Sequence, residues 1–217
     1  MSPASVMPMM EAVNLGGGVG LAWNDWLFLA VNASARPPEA VRLLAVLLAG
    51  APLLLVPRLL VGLWVWGRPS ARAGLIATAG GVLAGQGINV LLGLLWFEKR
   101  PFMAGIGHTL MRHAADNGFP SDHATLCWGC GLGLIATGAA RRWGVAACAL
   151  GLGTGWARVF LGVHFPVDVL VAIPVGAVAA GLARLALPAI RRHVAPPAER
   201  LYAAVLARLP TGLPIPR

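Results

Sequence analysis

One histidine of the sequence stands four residues before an aspartate, within residues 158–168, which read RVFLGVHFPVD. Pro166 favours a helix start, so His164 is expected at the mouth of a helix, with Asp168 within hydrogen-bonding reach of one imidazole nitrogen. Such a carboxylate orients the ring and raises the basicity of the other nitrogen, which is the pattern of an activated nucleophile. Arg158 adds a fork of donors suited to phosphate oxygens. The alternative interpretation is a salt-bridged helix corner without chemistry.

A second candidate segment, FPSDH at residues 119–123, lies directly before an apolar run. Ser121 is suited to the N-cap of the next helix, with Asp122 in the first turn, where the helix dipole favours an acid. Free N–H groups at a helix start form a natural phosphate site, and His123 could exchange a proton there. The alternative interpretation is a capped helix that carries an interfacial histidine.

A third candidate is a pair of cations, Lys99 and Arg100, which follow another apolar run and precede Pro101. Basic residues often flank membrane crossings, so the pair alone indicates little. Together the three segments are a stronger indication of a phosphate site than any one of them. They follow one another in the order cation, serine with histidine, and arginine with histidine and aspartate.

The elements that must position these segments are apolar runs of membrane length. Of the 217 residues, 58% are apolar and only 12% are charged, and the mean hydropathy is +0.74. This composition excludes a disordered chain, a disulfide scaffold and an ordinary water-soluble enzyme. A membrane helix needs about 20 apolar residues. The sequence therefore predicts five crossings, at about residues 43–67, 73–97, 123–140, 143–163 and 166–187.

The two ends of the chain are expected to add shorter elements. Residues 21–34 are apolar but hold Asp25 between two tryptophans, which favours an interfacial or re-entrant helix; a sixth crossing from about residue 12 is the alternative. Residues 196–209 predict a short helix on the membrane surface. The fold class is therefore an all-α integral membrane protein, a bundle of five to six transmembrane helices. We expect a single membrane-embedded domain over residues 1–217, with its core at about 43–187.

The crossing count places the three candidate segments at one membrane face. The opposite face collects ten basic residues against six on the candidate face. By the positive-inside rule the face with ten is cytoplasmic, so the candidate site is expected to face outward. The net charge of +9 then indicates topology, and no nucleic-acid partner is expected. Cys127 and Cys130 lie in an apolar run and are expected to be small buried residues, not metal ligands.

In their order and spacing the three segments resemble the motifs of the type 2 phosphatidic acid phosphatase family. That family, part of the acid phosphatase and vanadium haloperoxidase superfamily, has the motifs Lys-x6-Arg-Pro, Pro-Ser-Gly-His and Ser-Arg-x5-His-x3-Asp. The chain departs from them at three positions: Gly93 for the lysine, Asp122 for the glycine and Ala157 for the serine. Lys99 could substitute in part for the missing lysine. Matches are found at Arg100 and Pro101, then Pro120, Ser121 and His123, then Arg158, His164 and Asp168.

The resemblance implies a two-step phosphoryl transfer without a cofactor or metal. His164 would attack the terminal phosphorus to give a phosphohistidine while Asp168 orients its ring. His123 would protonate the leaving oxygen and then activate water. The phosphoryl oxygens would be bound by a set of four side chains: Arg100, Arg158, Ser121 and Lys99.

The segments around His123 and His164 look like the bacterial undecaprenyl-diphosphatase branch of the family. The linking segment, residues 107–116, is similar to that branch too, and four of its side chains could touch a second phosphate: His108, Arg112, His113 and Asp116. The resemblance implies hydrolysis of undecaprenyl diphosphate to undecaprenyl phosphate, in a bacterial inner membrane, with the site facing the periplasm or the outside. The implied partners are a polyprenyl or other lipid phosphate and membrane lipids; a homodimer is left open.

Other functions stay open at this stage. Phosphatidylglycerol phosphate or phosphatidate could be the substrate, and the phosphoryl group could be transferred to another lipid such as lipid A. A membrane scaffold or lipid transporter with a degenerate site is the alternative that is not an enzyme. Its support is the departure from the family pattern at Gly93 and Ala157.

Overall fold

The computed structural model describes residues 22–208, and the regular structure in this range is entirely helical. A short 3₁₀ turn, Pro69–Ala71, leads into the fourth helix, and a π turn, Ile190–Val194, joins the last two. In chain order the helices are α1 Ala22–Val31, α2 Glu39–Gly50, α3 Pro52–Trp66, α4 Arg72–Leu95, α5 Pro101–Ala104, α6 Asp122–Ala136, α7 Arg141–Phe160, α8 Pro166–Ala189 and α9 Ala195–Ala207.

Small residues allow the central helices to approach closely. Helix α6 packs against α7 and α8, and α4 packs against α8 and α6. A Cβ added to Gly131 of α6 would stand 2.8 Å from the carbonyl oxygen of Gly144 of α7. A Cβ added to Gly176 of α8 would stand 2.9 Å from the backbone nitrogen of Gly129. Such backbone contact is typical of helix packing in membranes, where small interface residues let the helices approach closely and van der Waals contact holds them together.

The outer surface of the bundle carries many exposed apolar side chains. Leu94 and Leu95 at the end of α4 are 78% and 82% exposed, and Leu185 of α8 is 78% exposed. Two segments, Pro69–Leu95 and Pro166–Ala207, are long and apolar enough to cross a membrane; α2 with α3 adds a third if that bent pair is one span. Large leucines directed outward along such helices indicate a lipid-facing surface. The protein is therefore a membrane protein.

The helices differ in part from the predicted crossings. The predicted single crossing over residues 43–67 is wrong in one respect, because α2 and α3 are bent by 55° at the break before Pro52. Proline has no N–H donor and is tolerated in the first turn of a new helix, which explains the break at that residue. Helix α6 has 15 residues and is about 22 Å long, shorter than the predicted 123–140 run. Helix α4 agrees with the predicted 73–97 run to within two residues at each end.

Helices are also present near both ends of the described range. Helix α1 has 10 residues and is about 15 Å long, about half of the hydrocarbon thickness of a bilayer. The alternative sixth crossing from residue 12 falls largely outside the described residues. Helix α9 stands where the tail helix was predicted and continues from α8 through the π turn. Its Tyr202 ring contacts Trp64 of α3 and lies 4.8 Å from the guanidinium carbon of Arg72.

Candidate active site

Two connections converge on one end of the bundle and carry the predicted residues. The first runs from the end of α4 through α5 to the start of α6, and the second joins α7 to α8. In the second, Gly162 has a φ of +77°, a left-handed conformation that glycine adopts without strain. This turn reverses the chain after α7 and brings His164 to the start of α8, where Pro166 occupies the first helical position.

His164 is 2% exposed and lies between a carboxylate and a guanidinium. Its Nδ1 is 3.3 Å from Asp168 Oδ2, and its Nε2 is 3.0 Å from Arg100 Nη1. Because arginine can only donate, Nε2 must accept that hydrogen bond, which assigns the ring proton to Nδ1. Burial, and then the charges of Arg158 and Arg100, hold the pKa of His164 well below its ordinary value. The site therefore contains a neutral imidazole whose Nε2 carries the lone pair.

The carboxylate of Asp168 is completely buried and fixed by the start of α8. Its Oδ2 accepts a hydrogen bond from the backbone N–H of Phe165 at 2.8 Å as well as the one from His164. Its backbone oxygen accepts from the N–H of Ser121 at 3.0 Å. The histidine, its carboxylate and the beginning of α6 are thus held in one fixed arrangement.

Arg100 is 5% exposed and uses its donors on four groups. Besides His164, Nε donates to Asp116 Oδ1 at 2.8 Å, Nη1 to the Val163 carbonyl at 2.9 Å and Nη2 to the Asn117 carbonyl at 2.9 Å. A guanidinium fixed by that many acceptors has a set orientation. Arg100 therefore presents positive charge directly at the Nε2 face of the histidine.

Arg158 is 2% exposed and approaches the same site from the end of α7. Its Nη1 donates to the Ala49 carbonyl at 3.2 Å, and its Nη2 lies 2.9 Å from His113 Nε2. The His113 ring packs edge-on to the His164 ring, with centroids 6.3 Å apart. Burial and the charge of Arg100 lower the pKa of His113, so this ring is also neutral and accepts from Arg158.

The start of α6 contributes Ser121 and His123. Ser121 occupies the N-cap position, but the prediction that its side chain caps the helix is wrong, because its hydroxyl makes no capping bond. The Ser121 Oγ is buried and has no hydrogen-bond partner within residues 22–208. His123 is half-buried and lies in the first turn of α6. Asp122 is tied to α4 through Asn89 Nδ2, 2.8 Å from its Oδ1.

This arrangement can bind an oxyanion and attack it. Arg100 is bonded to the lone pair of a neutral histidine, Arg158 adds a second buried positive charge, and Ser121 adds a buried hydroxyl without a partner in the described chain. The second histidine, His123, is available for proton transfer. The family model of the PAP2 superfamily matches residues 74–192, which is more than half of the 217 residues.

The chain belongs to the PAP2 superfamily.

Membership of the PAP2 superfamily confirms the resemblance seen in the three motifs, and two relatives are similar over most of the chain. YbjG of Escherichia coli (strain K12), named provisionally as an undecaprenyl-diphosphatase, is 33% identical over 163 residues, or 75% of this chain and 76% of that protein. Undecaprenyl-diphosphatase BcrC of Bacillus subtilis (strain 168) is 30% identical over 186 residues, or 86% of this chain and 95% of BcrC.

A solved structure shares the fold. The crystal structure of Aquifex aeolicus LpxE has a TM-score of 0.58 to this chain at 20% identity, and the match covers 72% of this chain and 92% of that one. At this identity the likeness supports a common PAP2 fold and no further assignment.

One of the residues predicted for the PAP2 site lies apart from the others. Lys99 is exposed, whereas its neighbours Glu98 and Arg100 are buried. Side chains alternate along this extended stretch, so Arg100 and Lys99 face opposite directions. The structure therefore brings together Arg100, Ser121, His123, Arg158, His164 and Asp168 and leaves Lys99 towards solvent.

Two asparagines that the motifs did not indicate hold the connections in place. Asn117 donates from Nδ2 to the carbonyls of Gly93 and Trp96, and its Oδ1 accepts from the N–H groups of Glu98 and Phe119. It therefore packs at Gly93, the position of the missing motif lysine. An asparagine followed by glycine is a turn signal that could have identified it.

The second asparagine, Asn32, joins the end of α1 to both connections. Its Nδ2 donates to the carbonyls of His108 (2.9 Å) and Phe160 (3.1 Å), and its Oδ1 accepts from the His108 N–H at 2.7 Å. These partners are 76 or more residues away in sequence, so no local pattern could have predicted them. His108 is thereby fixed through its backbone.

The cysteines and the histidines do not assemble a metal centre in the part of the chain that the structure describes. No group of three or more His, Cys, Asp or Glu side chains there has the geometry to bind a metal ion. Cys127 and Cys130 are completely buried in α6, and Cys127 Sγ is 3.9 Å from Thr154 Oγ1. They pack as small apolar residues at a helix interface.

Proposed function

We propose that this PAP2 protein removes the terminal phosphate of undecaprenyl diphosphate and releases undecaprenyl phosphate. The observation that carries the chemistry is the neutral, buried His164 held between Asp168 and Arg100. The substrate is supported by the two relatives whose names assign them to undecaprenyl diphosphate. A membrane scaffold would need neither a buried histidine–carboxylate pair nor two buried arginines, so the enzymatic reading is favoured.

In the proposed first step His164 Nε2 attacks the terminal phosphorus. Arg100 exchanges its hydrogen bond with Nε2 for one with a phosphoryl oxygen, which frees the lone pair. As the N–P bond forms, the bond from phosphorus to the bridging oxygen breaks, and its electron pair stays on that oxygen. His123 donates a proton to the leaving oxygen, and Asp168 stabilises the positive charge that the His164 ring acquires.

In the proposed second step water hydrolyses the phosphohistidine. His123, now neutral, removes a proton from the attacking water as its oxygen bonds to phosphorus. The N–P bond breaks, its electron pair returns to His164 Nε2, and inorganic phosphate leaves. Arg100, Arg158 and the free hydroxyl of Ser121 are placed to stabilise the charge on the phosphoryl oxygens in both steps.

We further propose that the bundle crosses the membrane five to six times as a single domain. In this arrangement α6 and α7 cross beside the apolar segments, and the site opens to the periplasm or the outside of a bacterial inner membrane. The support is the excess of basic residues on the face opposite the site, ten against six. Undecaprenyl diphosphate exposed on the outer leaflet during cell-wall synthesis would reach such a site directly.

Cysteine labelling tests this orientation at three exposed positions: Ser34, Ser70 and Thr109. Each is replaced singly by cysteine and treated in intact cells with a thiol reagent that does not cross the membrane. We expect labelling at positions 34 and 109 and none at 70. Labelling at 70 but not at 109 would reverse the proposed orientation and leave the chemistry unchanged.

Phosphate release by the purified protein in detergent tests the function. Undecaprenyl diphosphate, phosphatidate and phosphatidylglycerol phosphate are compared, with His164→Ala as the test variant and His193→Ala, an exposed histidine of the π turn, as the matched control. We expect preference for the diphosphate, less than about 1% of that activity in His164→Ala, and full activity in His193→Ala.

The other outcomes separate the alternatives. Preference for a glycerolipid would keep the mechanism and change the substrate. Full activity in His164→Ala would contradict the proposed nucleophile. No release from any of the three lipids by folded protein would contradict the phosphatase and favour phosphoryl transfer between lipids or a scaffold.

A further inference from the structure

The end of the bundle opposite the candidate active site carries a cavity of about 360 Å³. It lies between the end of α3 and the start of α7. A Cβ added to Gly74 of α4 would stand 2.9 Å from the Cβ of Ala139, so α4 also starts at this end. Helix α7 has 20 residues and is about 30 Å long, and Arg158 of the active site lies near its other end. The cavity is therefore separate from the catalytic residues.

Three arginines line this cavity and have no partner in the described chain. They are Arg68, Arg141 and Arg142, and all three are exposed. None of them forms an ion pair or a side-chain hydrogen bond with any other of residues 22–208. An excess of basic residues sets topology through charge alone, and it does not require the side chains to converge on one cavity. Three guanidinium groups around a cavity are suited to bind an anion.

An apolar groove continues from this basic cavity along the bundle. A second cavity, of about 400 Å³, lies between the same two helices and shares Trp143 with the first. Leu63 lines the first cavity and Leu59 and Leu55 line the second, at intervals of four residues along one face of α3. The distance along α3 from Leu55 to Leu63 is about 12 Å, close to half of the hydrocarbon thickness of a bilayer. The two cavities form one groove, the α3–α7 groove, with a basic end and an apolar part about one leaflet deep.

The apolar part of the α3–α7 groove also contains a charged side chain. Arg58 lines the second cavity, is exposed, and makes no ion pair or side-chain hydrogen bond within the range that the structure describes. A charge at membrane depth is costly unless it is paired, and a long side chain can extend towards the nearer membrane face. An anion at the basic end of the groove therefore gives Arg58 the partner that the described chain does not supply.

We propose that the α3–α7 groove binds an anionic phospholipid of the adjacent leaflet. Its phosphate contacts Arg68, Arg141 and Arg142, and one acyl chain follows the apolar part past Trp143. Basic pockets between membrane helices are suited to anionic headgroups. The headgroup of phosphatidylglycerol carries a net negative charge, whereas the ammonium group of phosphatidylcholine cancels that charge and is repelled by the arginines. The inference rests on the proposed membrane arrangement, which the cysteine labelling tests separately, and it is independent of the proposed reaction.

Lipid binding to the purified protein in detergent tests this proposal, measured by native mass spectrometry. The probes are dioleoylphosphatidylglycerol, dioleoylphosphatidylcholine and inorganic phosphate. One variant combines Arg141→Gln with Arg142→Gln, and another, Ala146→Phe, fills the apolar part of the groove. The matched control combines Arg191→Gln with Arg192→Gln, an adjacent exposed pair in the π turn. Tm without added lipid shows whether each variant is folded.

We expect the wild-type protein to bind phosphatidylglycerol at least about tenfold more tightly than phosphatidylcholine. The combined Arg141→Gln and Arg142→Gln variant should raise the Kd of phosphatidylglycerol about tenfold, the size of one lost charge-assisted hydrogen bond. Ala146→Phe should raise it at least about threefold, because the acyl chain loses its groove. Arg68→Gln, a single substitution after α3, should also raise it about threefold and provides a test if the double variant does not fold. The control pair should leave the Kd unchanged.

Three outcomes would contradict the proposal. Equal weakening in the control pair would show that lipid is attracted to the basic face in general and not to this groove. Binding of inorganic phosphate that is lost in the Arg141 and Arg142 variant, with no effect of Ala146→Phe on the lipid, would indicate a site for a free anion. Lipid binding that no substitution changes would place the lipid elsewhere on the bundle.

Discussion

Replacing Asp168 by asparagine separates the charge of this side chain from its shape. The asparagine oxygen can still accept from the Phe165 N–H, which now lies 2.8 Å from Oδ2, so the start of α8 should be preserved. What disappears is a negative charge 3.3 Å from His164 Nδ1. In the proposed phosphohistidine the ring is positive, and two unit charges at that separation attract by about 5 kcal/mol at an effective dielectric constant of about 20.

If roughly half of that attraction has developed in the transition state, Asp168→Asn loses about 2.5 kcal/mol and kcat falls about 70-fold. Phosphate release at saturating substrate measures kcat. Alkaline quenching of a single turnover with substrate labelled in the terminal phosphate measures the phosphoenzyme, because the N–P bond of phosphohistidine is stable in alkali. Tm in the same detergent reports folding and should be unchanged. A kcat within about threefold of the wild-type value, at equal Tm, would refute the electrostatic role of Asp168.

Two further predictions concern the hydroxyl and the neutral histidines of the site. Ser121→Ala removes a buried hydroxyl that has no hydrogen-bond partner in the described chain, so Tm should not fall. If the hydroxyl binds a phosphoryl oxygen, kcat/KM should drop about tenfold. A lower Tm with unchanged kcat/KM would assign the hydroxyl a structural role. His164 and His113 have lowered pKa values in the folded protein. Below about pH 6.5 the unfolded chain therefore binds protons that the folded protein does not bind. The free energy of unfolding decreases as the pH falls through that value. We expect Tm to decrease between about pH 7.5 and 5.5, and to decrease less in His164→Gln; an equal decrease in both would show that other groups carry the dependence.

The helical fold could be predicted because apolar runs of membrane length have few alternatives. The charge-free run that forms α4 was predicted to within two residues at each end. The break before Pro52 could not be predicted from hydropathy, because leucines and valines continue on both sides of it. A count of apolar residues indicates that a segment lies in an apolar environment, but it does not indicate the direction of the helix axis.

The motif residues of the candidate site could be predicted from the sequence, but the residues that hold them in place could not. His164 and Asp168 are four residues apart at a helix start, so local geometry was enough to predict that their side chains meet. Asn32 and Asn117 act through backbone carbonyls of distant segments, and only the packed fold shows which carbonyls those are. The placement of Lys99 depended on which side of an extended segment faces inward, and two adjacent cations give no pattern from which to decide that.

The hydrogen bond between Arg100 Nη1 and His164 Nε2 has a chemical consequence beyond orientation. A neutral imidazole with a free lone pair is the commonest metal ligand in proteins, and it also reacts with electrophiles. Here a guanidinium occupies the lone pair, and its charge, with that of Arg158, repels an approaching metal cation. An anion with oxygen acceptors can draw the guanidinium away. In the proposed mechanism, a bound phosphate therefore releases His164 Nε2 from Arg100. The contact that binds the substrate would then also make the nucleophile reactive.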